Sequence, residues 1–179
     1  MGTALQMDGD IARVMDVMPY GHYIVGSSDA NHEPNGMIAD WVMQVSFQPR
    51  LLAVAFENDA HTLANIRENK WFTVNLLPGS EQGRKVAARF LQSYDGAKVA
   101  GRTDDEKARL HHKMDGTPHA VAAHGGPVLN SAMAWVECRA TQFLPTGDHT
   151  LIVGEVVGGK LVDDVEALDS TYTGWNYSG

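Results

Sequence analysis

Two long β-forming segments near the end of the chain, joined by a short turn, limit most strongly what this sequence can fold into. They run from about Ser131 to Leu144 and from His149 to Leu161, and Pro145-Thr146-Gly147-Asp148 connects them. Segments separated by so few turn-forming residues predict an antiparallel hairpin, because a parallel pair needs a crossover of about a dozen residues or more.

A second hairpin is predicted near the start of the chain. Tyr20–Ser27 has the composition of a strand, residues 28–36 are rich in turn formers, and Met37–Val45 is the predicted return strand. The apolar run 51–56 is typical of a buried strand, and 71–77 is rich in β-formers. Hairpins at both ends favour an antiparallel sheet or barrel over a doubly wound parallel sheet.

Short helices are predicted at 10–17, from near Ala60 and at 81–92. Asn58 or Asp59 is the expected cap of the second helix, whose Leu63 and Ile66 face inward. Residues 94–126 form the least periodic stretch, and a loop this long within a compact domain is usually functional or mobile.

Length and composition predict one ordinary globular domain over residues 1–179, with 44% apolar and 20% charged residues. The net charge of −8 argues against a nucleic-acid partner. Cys138 is the single cysteine and is expected to be a small core residue. A secretory signal and a long apolar run are both absent, so we expect no membrane span and a cytoplasmic location. Basic residues that form either a locally positive surface or a solvated helix and loop are Arg84, Lys85, Arg89, Lys98, Arg102, Lys107, Arg109 and Lys113.

Standard catalytic and metal-binding patterns are not found. No P-loop or GxSxG elbow occurs, and the glycines at 154, 158 and 159 follow a strand instead of opening a helix. His111, His112, His119 and His124 cluster in the irregular stretch without the spacing of a zinc site. A polar loop is therefore favoured there, and no metal is predicted.

The junction at residues 58–62 has the features of an anion site. A strand ends and a helix begins here, so backbone N–H groups and the positive end of the helix dipole face outward. His61 adds a possible donor and Thr62 a hydroxyl. Taken alone this indication is weak, since every helix has such an end.

Two segments together resemble one known family. The run NGMIADWVMQVSFQP at 35–49 and the run PTGDHTLIVGEV at 145–156 are similar to the signatures of the flavin reductase-like, FMN-binding split-barrel family, and the resemblance spans about residues 10–165. It implies a mainly β fold with short helices, a six-stranded antiparallel Greek-key split barrel. It also implies a homodimer with FMN near the subunit interface.

The resemblance assigns residues to the cofactor. Those expected along the flavin and its ribityl chain are Gly36, Met37, Ile38, Ala39, Asp40 and Trp41. Ser46 is expected at the polar edge of the isoalloxazine, and the phosphate would be held by Asn58, His61 and Thr62. His149 is the candidate catalytic residue, to position the nicotinamide or relay a proton; a hydrogen-bonded turn histidine is an equally supported interpretation.

The sequence departs from the family pattern at two positions. Ile38 and Asp40 stand where members usually carry Thr and Ser, and Asp40 beside an anionic cofactor is repulsive unless it points away or meets a cation. Residues 57–62 contain no Lys or Arg. Compensating charge is expected from the other subunit or from Arg84, Lys85 or Arg89.

The predicted function is an NAD(P)H-dependent flavin reductase that supplies reduced flavin to a partner oxygenase or reduces an acceptor directly. Two alternatives stay open: an FMN electron-transfer flavoprotein reduced by a protein partner, and a cofactor-less split-barrel binding module. The aromatic tail at 172–179 is expected on the flavin, on the partner subunit or in the core of its own chain. Trp41, Trp71 and Trp135 are interpreted as core residues.

Overall fold

A computed structural model describes residues 9–91 and 113–176. The strands are Tyr23–Ser28 (β1), Pro34–Ala39 (β2), Val42–Phe47 (β3), Arg50–Glu57 (β4), Trp71–Leu76 (β5), His119–Val121 (β6), Pro127–Leu129 (β7), Ala134–Thr146 (β8) and His149–Leu161 (β9). The helices are Gly9–Asp16 (α1), His61–Asn69 (α2), Glu81–Ala88 (α3) and Ser170–Thr173 (α4). In the two described stretches, no helix combines the length and the apolar character that crossing a bilayer requires.

Seven strands form one antiparallel sheet in the order β2-β1-β5-β8-β9-β4-β3. Its two edge strands, β2 and β3, follow each other in the chain with only Asp40 and Trp41 between them. The bend at these residues therefore bridges the two edges and turns the sheet into a split barrel. The predicted antiparallel split barrel is confirmed; counting β2 and β3 as one bent strand gives its six strands.

The bend divides the predicted return strand Met37–Val45 because the pairing partner changes there. Ala39 still lies opposite Tyr23 of β1, whereas Val42 already lies opposite Val54 of β4. One regular strand does not pair with both partners across a sharp turn, so it breaks at the bend.

The hairpin of β8 and β9 is the longest pairing in the sheet, with thirteen residues in each strand. β9 has the predicted bounds, and β8 starts at Ala134 instead of Ser131 and continues to Thr146. The register shifts between Glu137 and Cys138 and again between Ala140 and Gln142. Such bulges bend the strands, which helps so long a hairpin to follow the barrel.

β1 and β2 separate two hydrophobic clusters. Val25 and Ala39 face the barrel interior, while Ile24 and Ile38 face a second cluster that includes Phe90. This alternation follows from the two-residue period of a strand. It fixes the face on which each predicted cofactor residue of β2 lies.

α2 packs Leu63 and Ile66 inward, as predicted. Its N-cap is Ala60, which makes no side-chain capping hydrogen bond. The predicted cap by Asn58 or Asp59 is therefore wrong, because the helix starts after Ala60 and Asn58 binds another part of the fold.

The other predicted helices differ from expectation only at their ends. α1 matches the predicted 10–17 closely, and its Ile11, Val14 and Met15 side chains are exposed. α3 ends at Ala88, capped by Arg89, four residues before the predicted end, and Gln92 lies outside the described residues. Phe90 is buried, whereas Leu91 is exposed because the chain has left the helix there.

The stretch 94–126 was predicted to be irregular, and its first part, up to residue 112, lies outside the described residues. That part holds His111, His112 and four of the basic residues, Lys98, Arg102, Lys107 and Arg109. The described part contains the short strand β6, which pairs with β7 in a two-stranded sheet. The prediction missed this pair because three residues are too few for a periodic signal.

Candidate functional site

The start of β2 and the first turn of α2 lie side by side. Nδ2 of Asn35 donates to Oγ1 of Thr62 at 2.8 Å in a buried hydrogen bond. One turn later, Nδ2 of Asn65 donates to Oγ of Ser27 at 3.2 Å. These bonds join the helix to the β1–β2 hairpin, so the structure brings together the two segments to which the sequence assigned the flavin and its phosphate.

The side chains from Gly36 to Trp41 point to both faces of β2. Met37 and Ala39 contact the barrel core, whereas Ile38 packs on the second cluster. Trp41, interpreted as a core residue from the sequence, lies at the bend and is 39% exposed. The segment therefore does not present one continuous row of side chains to a ligand.

Packing explains the glycine at position 36. A Cβ atom there would lie 2.7 Å from Cε1 of Phe90 and 3.2 Å from Sδ of Met114, closer than side chains tolerate. Any larger residue would push Phe90 out of the second cluster.

Polar groups of the β2 backbone face away from β1. Asp29 N donates to Glu33 O at the hairpin turn, and hydrogen-bonded and non-bonded pairs alternate from there along an antiparallel ladder. Gly36 and Ile38 fall in the non-bonded pairs with β1, opposite Gly26 and Ile24. Their N–H and C=O groups therefore point toward the outer edge of β2.

Asp40 is bound to a histidine. Its Oδ1 lies 2.6 Å from Nδ1 of His22, and Nε2 of the same ring lies 2.8 Å from Oγ1 of Thr173. Both ring nitrogens of a buried histidine are thereby engaged. The carboxylate expected to repel an anionic cofactor is instead turned toward the outer face and paired there.

The C-terminal segment lies over the same outer face. Trp175 packs on the second cluster together with Ile38, and its carbonyl accepts from the Tyr20 hydroxyl at 3.4 Å. The Arg84 guanidinium lies 5.6 Å from the centre of the Trp175 ring. Trp175 of the aromatic tail therefore packs on its own chain, whereas Tyr172 is half exposed. Tyr177 lies outside the described residues.

Thr62 and His61 face different neighbours. Thr62 is only 2% exposed, with its hydroxyl used by Asn35. His61 lies close enough to the β1–β2 turn for its charge to act on Asp29. The pKa of Asp29 is lowered chiefly because the backbone N–H of Glu33 donates to its carboxylate, with a smaller contribution from His61.

Asn58 contacts the turn between β8 and β9. Its backbone N–H donates to Asp148 O at 3.0 Å, and its Nδ2 donates to Gly147 O at 3.0 Å. Its Oδ1 accepts from the Thr150 hydroxyl at 2.7 Å. Asn58, the predicted phosphate ligand, therefore uses these three groups in hydrogen bonds to residues in and beside this turn of its own chain.

His149 opens β9 opposite Glu57. Its ring centre lies 4.8 Å from that of Trp41, and its Nδ1 lies 2.7 Å from Oδ1 of Asp148. The candidate catalytic histidine therefore meets Trp41 of the predicted flavin segment. Its partner Asp148 makes it a hydrogen-bonded histidine at the end of a turn, and its role toward a nicotinamide stays a prediction.

Ser46 and the cations of α3 lie apart from this corner. Ser46 is further along β3, beside a register shift, opposite Leu51. Arg84 and Lys85 approach Glu81, and Arg89 donates to the carbonyls of Asp115 and Gly116. These contacts hold the three cations on or next to α3, away from the first turn of α2.

The described histidines of the loop have structural contacts. Nδ1 of His119 lies 2.8 Å from Thr117 O, while the His124 ring stacks on Trp71 with centres 3.6 Å apart. Nowhere in residues 9–91 and 113–176 do three or more His, Cys, Asp or Glu side chains come close enough to hold a metal ion.

Three residues of this region were not predicted from the sequence: Asn35, His22 and Thr173. Asn35 was quoted only as part of a motif, although a polar residue at the inward position of a strand is itself a signal. His22 and Thr173 are 151 positions apart, so no local pattern connects them.

Comparisons with known proteins agree with this architecture. The family model described as flavin reductase like domain matches residues 15–177. A flavin reductase (NADH) from Kitasatospora aureofaciens is 31% identical over 155 residues, which cover 86% of this chain and 72% of that protein. A ferric-chelate reductase (NAD(P)H) from Archaeoglobus fulgidus is 30% identical over 152 residues, covering 83% of this chain and 80% of that protein.

A solved structure supports the fold. The NADH:FAD oxidoreductase of Streptomyces globisporus, in complex with NAD and FAD fragments, has a TM-score of 0.72 and 23% sequence identity. The match covers 94% of this chain and 91% of that one. With a split barrel, a β2–α2 corner and a family match over most of its length, this chain belongs to the flavin reductase like domain family and is an oxidoreductase.

Proposed function

We propose that this chain binds FMN and is a flavin reductase, transferring hydride from NADH or NADPH to flavin or through bound FMN to an acceptor. The observation that carries the proposal is the buried bond from Asn35 to Thr62, which places the edge of β2 beside the start of α2. A flavin mononucleotide needs polar groups along its ring and ribityl chain and an electropositive end for its phosphate, and this corner offers both.

The phosphate end would be the first turn of α2. Its N-cap Ala60 offers no side-chain hydrogen bond, and the first turn has no acidic residue. No N-cap side chain accepts a hydrogen bond from the backbone N–H groups there, and the helix dipole favours negative charge at this end. Main-chain donors would thus hold the phosphate where the sequence supplies no Lys or Arg.

The ring and ribityl chain would lie along the outer edge of β2. The N–H and C=O groups that Gly36 and Ile38 direct to this edge match a ligand with alternating donors and acceptors. Trp41 and His149 lie at the far end of the strand, with ring centres 4.8 Å apart. The pairing of Asp40 with His22 removes a repulsive carboxylate from this path.

The flavin supplies the hydride chemistry when it is bound. The residues of this chain would bind and orient the reactants and limit the access of water. His149 is proposed to hold the nicotinamide against the flavin, because its ring is fixed between Trp41 and the Asp148 carboxylate.

Anaerobic reduction of added flavin tests the proposal. We expect NADH or NADPH to bleach the visible absorption of FMN in the presence of the protein and not in its absence. Running FAD and riboflavin in parallel measures the preference for FMN, and mass spectrometry of any cofactor released on denaturation identifies a resident flavin. Failure of both nucleotides to bleach any of the three flavins would contradict the reductase function.

A cofactor-less binding module is the second candidate, and one observation favours it. The C-terminal segment already covers the outer face of β2, where Ile38 packs with Trp175 and Asp40 bonds to His22. If the binding-module hypothesis is correct, the purified protein shows no visible flavin absorption, and the fluorescence of added FMN does not change in its presence.

We also propose a homodimer, with the second copy covering β3. Met43, Val45 and Phe47 are exposed on this edge strand, and Phe47 is 87% exposed. An exposed apolar edge strand is normally covered by another element or chain.

The proposed nicotinamide donor implies a cytoplasmic location, because nicotinamide nucleotides are kept reduced there. The reduced flavin would pass to a partner oxygenase or directly to an acceptor.

A further inference from the structure

Asn58 connects two parts of the molecule that are far apart in sequence. Its backbone N–H and its Nδ2 donate to the neighbouring carbonyls of Asp148 and Gly147, both at 3.0 Å. Its Oδ1 accepts from Thr150 at 2.7 Å, on the other side of His149. A single residue directly after β4 thus bonds residues on both sides of His149, Asp148 through its backbone and Gly147 and Thr150 through its side chain.

The donors and acceptors around Asn58 determine the orientation of its side-chain amide. Nη2 of Arg67 donates to Oγ1 of Thr150 at 3.1 Å, so the hydroxyl oxygen accepts from the guanidinium and its proton goes to Asn58. An amide offers one acceptor and two donor hydrogens. With the oxygen directed to Thr150, the NH₂ group faces Gly147 O. Asn58 therefore has one preferred orientation, set from α2 through Thr150.

The turn extends beyond the ladder in which His149 lies opposite Glu57 of β4 and Thr146 of β8. A Cβ at Gly147 would have no atom within 4 Å, and the Asp148 side chain is 93% exposed. The Thr146 hydroxyl donates to His149 O at 3.2 Å, but this bond lies within the turn. Beyond this ladder, Asn58 connects the turn with the end of β4 and, through Thr150 and Arg67, with α2.

The turn carries the histidine that meets the bend of the barrel. His149 follows Asp148 directly, and its ring centre lies 4.8 Å from that of Trp41. Displacing the backbone at Gly147 and Asp148 would move this ring and its partner carboxylate together.

We propose that Asn58 is a positioning residue that holds His149 against Trp41 for hydride transfer, and not a ligand of the flavin phosphate. The inference rests on the proposed function for the role of His149, but the contact it concerns can be measured without the reaction. Thr150 and Arg67 contribute to this positioning, because their hydrogen bonds orient the Asn58 amide.

The test combines NMR with anaerobic flavin reduction. The Trp41 ring current shifts the His149 ring protons, whose signal is assigned by its loss in His149→Gln and its displacement in Trp41→Phe. We expect Asn58→Ala to return this signal toward the ordinary histidine value and to slow hydride transfer about 10-fold, the effect of one lost positioning interaction. Affinity for FMN is expected to change less than 2-fold, because in this proposal Asn58 does not contact the flavin phosphate. A twofold change corresponds to roughly 0.4 kcal/mol.

Thr150 supplies a matched pair of controls. Thr150→Val removes the hydroxyl that orients the amide and is expected to shift the His149 signal in the same direction. Thr150→Ser keeps the hydroxyl and is expected to retain both the signal and the rate. A merely structural role would not distinguish the two variants in this way at equal stability.

A double variant that combines Asn58→Ala with His149→Gln tests whether Asn58 acts through His149. If Asn58 acts through His149, adding Asn58→Ala there causes no further loss of rate. An undiminished loss in that background, or an unchanged His149 signal in Asn58→Ala, would overturn the proposal, and so would FMN affinity that falls as much as the rate. Absence of any flavin reduction by the unaltered protein would instead refute the proposed function, while the NMR signal still reports whether Asn58 holds His149.

Discussion

Nδ1 of His22 lies 2.6 Å from Oδ1 of Asp40, with both side chains almost fully removed from solvent. His22 precedes β1 and Asp40 follows β2, so the pair ties the open end of the hairpin at the point where the barrel bends. The second ring nitrogen contacts Thr173, which extends the connection to the C-terminal segment.

Asp40→Ala is expected to destabilise the protein by about 2 kcal/mol, because it leaves a buried polar group of His22 without its partner. Loss of the pair should also loosen the contact with Thr173, so amide hydrogens of residues 170–176 should exchange faster. Asp40→Asn keeps an oxygen that accepts from Nδ1 and should lose less stability. Urea unfolding and hydrogen exchange measure the two effects; unchanged exchange in Asp40→Ala would mean that the segment is held independently of His22.

Thr62→Val is expected to lower the free energy of unfolding, by about 1–3 kcal/mol, because the buried Nδ2 of Asn35 loses its acceptor. Thr62→Ser keeps the acceptor and serves as the control in urea unfolding. Equal stability of the Val and Ser variants would show that Asn35 finds another acceptor.

The sequence predicted the elements that depend on local chemistry. The β8–β9 hairpin was predicted correctly because Pro145, Gly147 and Asp148 favour a turn and long β-forming runs flank it. The division between β2 and β3 was missed, because residues 40 and 41 are neither Gly nor Pro and the break arises from a change of pairing partner.

Site geometry was predictable only in part. The meeting of β2 with the start of α2 followed from the family resemblance. Asn58 was assigned to the phosphate by the family resemblance, but its partners at Gly147 and Thr150 lie about 90 positions away and produce no local sequence pattern. Contacts of this range are decided by the fold as a whole.

Ala60→Asp is expected to weaken FMN binding about 10-fold while leaving riboflavin binding unchanged. A carboxylate at the N-cap occupies the first N–H groups of α2 and repels a phosphate at close range by about 1 kcal/mol or more. Ala60→Ser caps the same groups without charge and should weaken FMN binding less. Fluorescence titration with both flavins measures the difference. Parallel losses for FMN and riboflavin would place the phosphate elsewhere.

Phe47→Glu is expected to convert the proposed dimer to a monomer. Burying an uncompensated charge in an apolar interface costs more than the contact gains, and Phe47 is the most exposed side chain of β3. Gln142→Glu adds the same charge to an exposed polar site on the interior strand β8 and is the matched control. Analytical ultracentrifugation distinguishes the states. A Phe47→Glu protein that sediments like the original would move the interface away from β3.

Cys138 is expected to make stability fall at alkaline pH. Burial, assisted by the negative charge of Glu137, raises the pKa of its thiol to about 12 from an ordinary value near 9. Between these values the folded protein keeps a proton that the unfolded chain releases, so unfolding becomes more favourable as pH rises, by up to about 1.4 kcal/mol per pH unit.

The contribution of this thiol is measured by comparison with Cys138→Ala. The variant loses the pH-sensitive group along with some packing, so it should start less stable near neutral pH but lose less stability than the original protein between about pH 8 and pH 10. Iodoacetamide should leave the folded protein unlabelled at about pH 8 and label it fully in urea, because only the thiolate reacts and only the unfolded chain exposes it. Since the chain has one cysteine, the labelled fraction reports this site alone. Rapid labelling of the folded protein would show that the β8–β9 hairpin opens at Cys138, and the expected difference in pH dependence would then be absent.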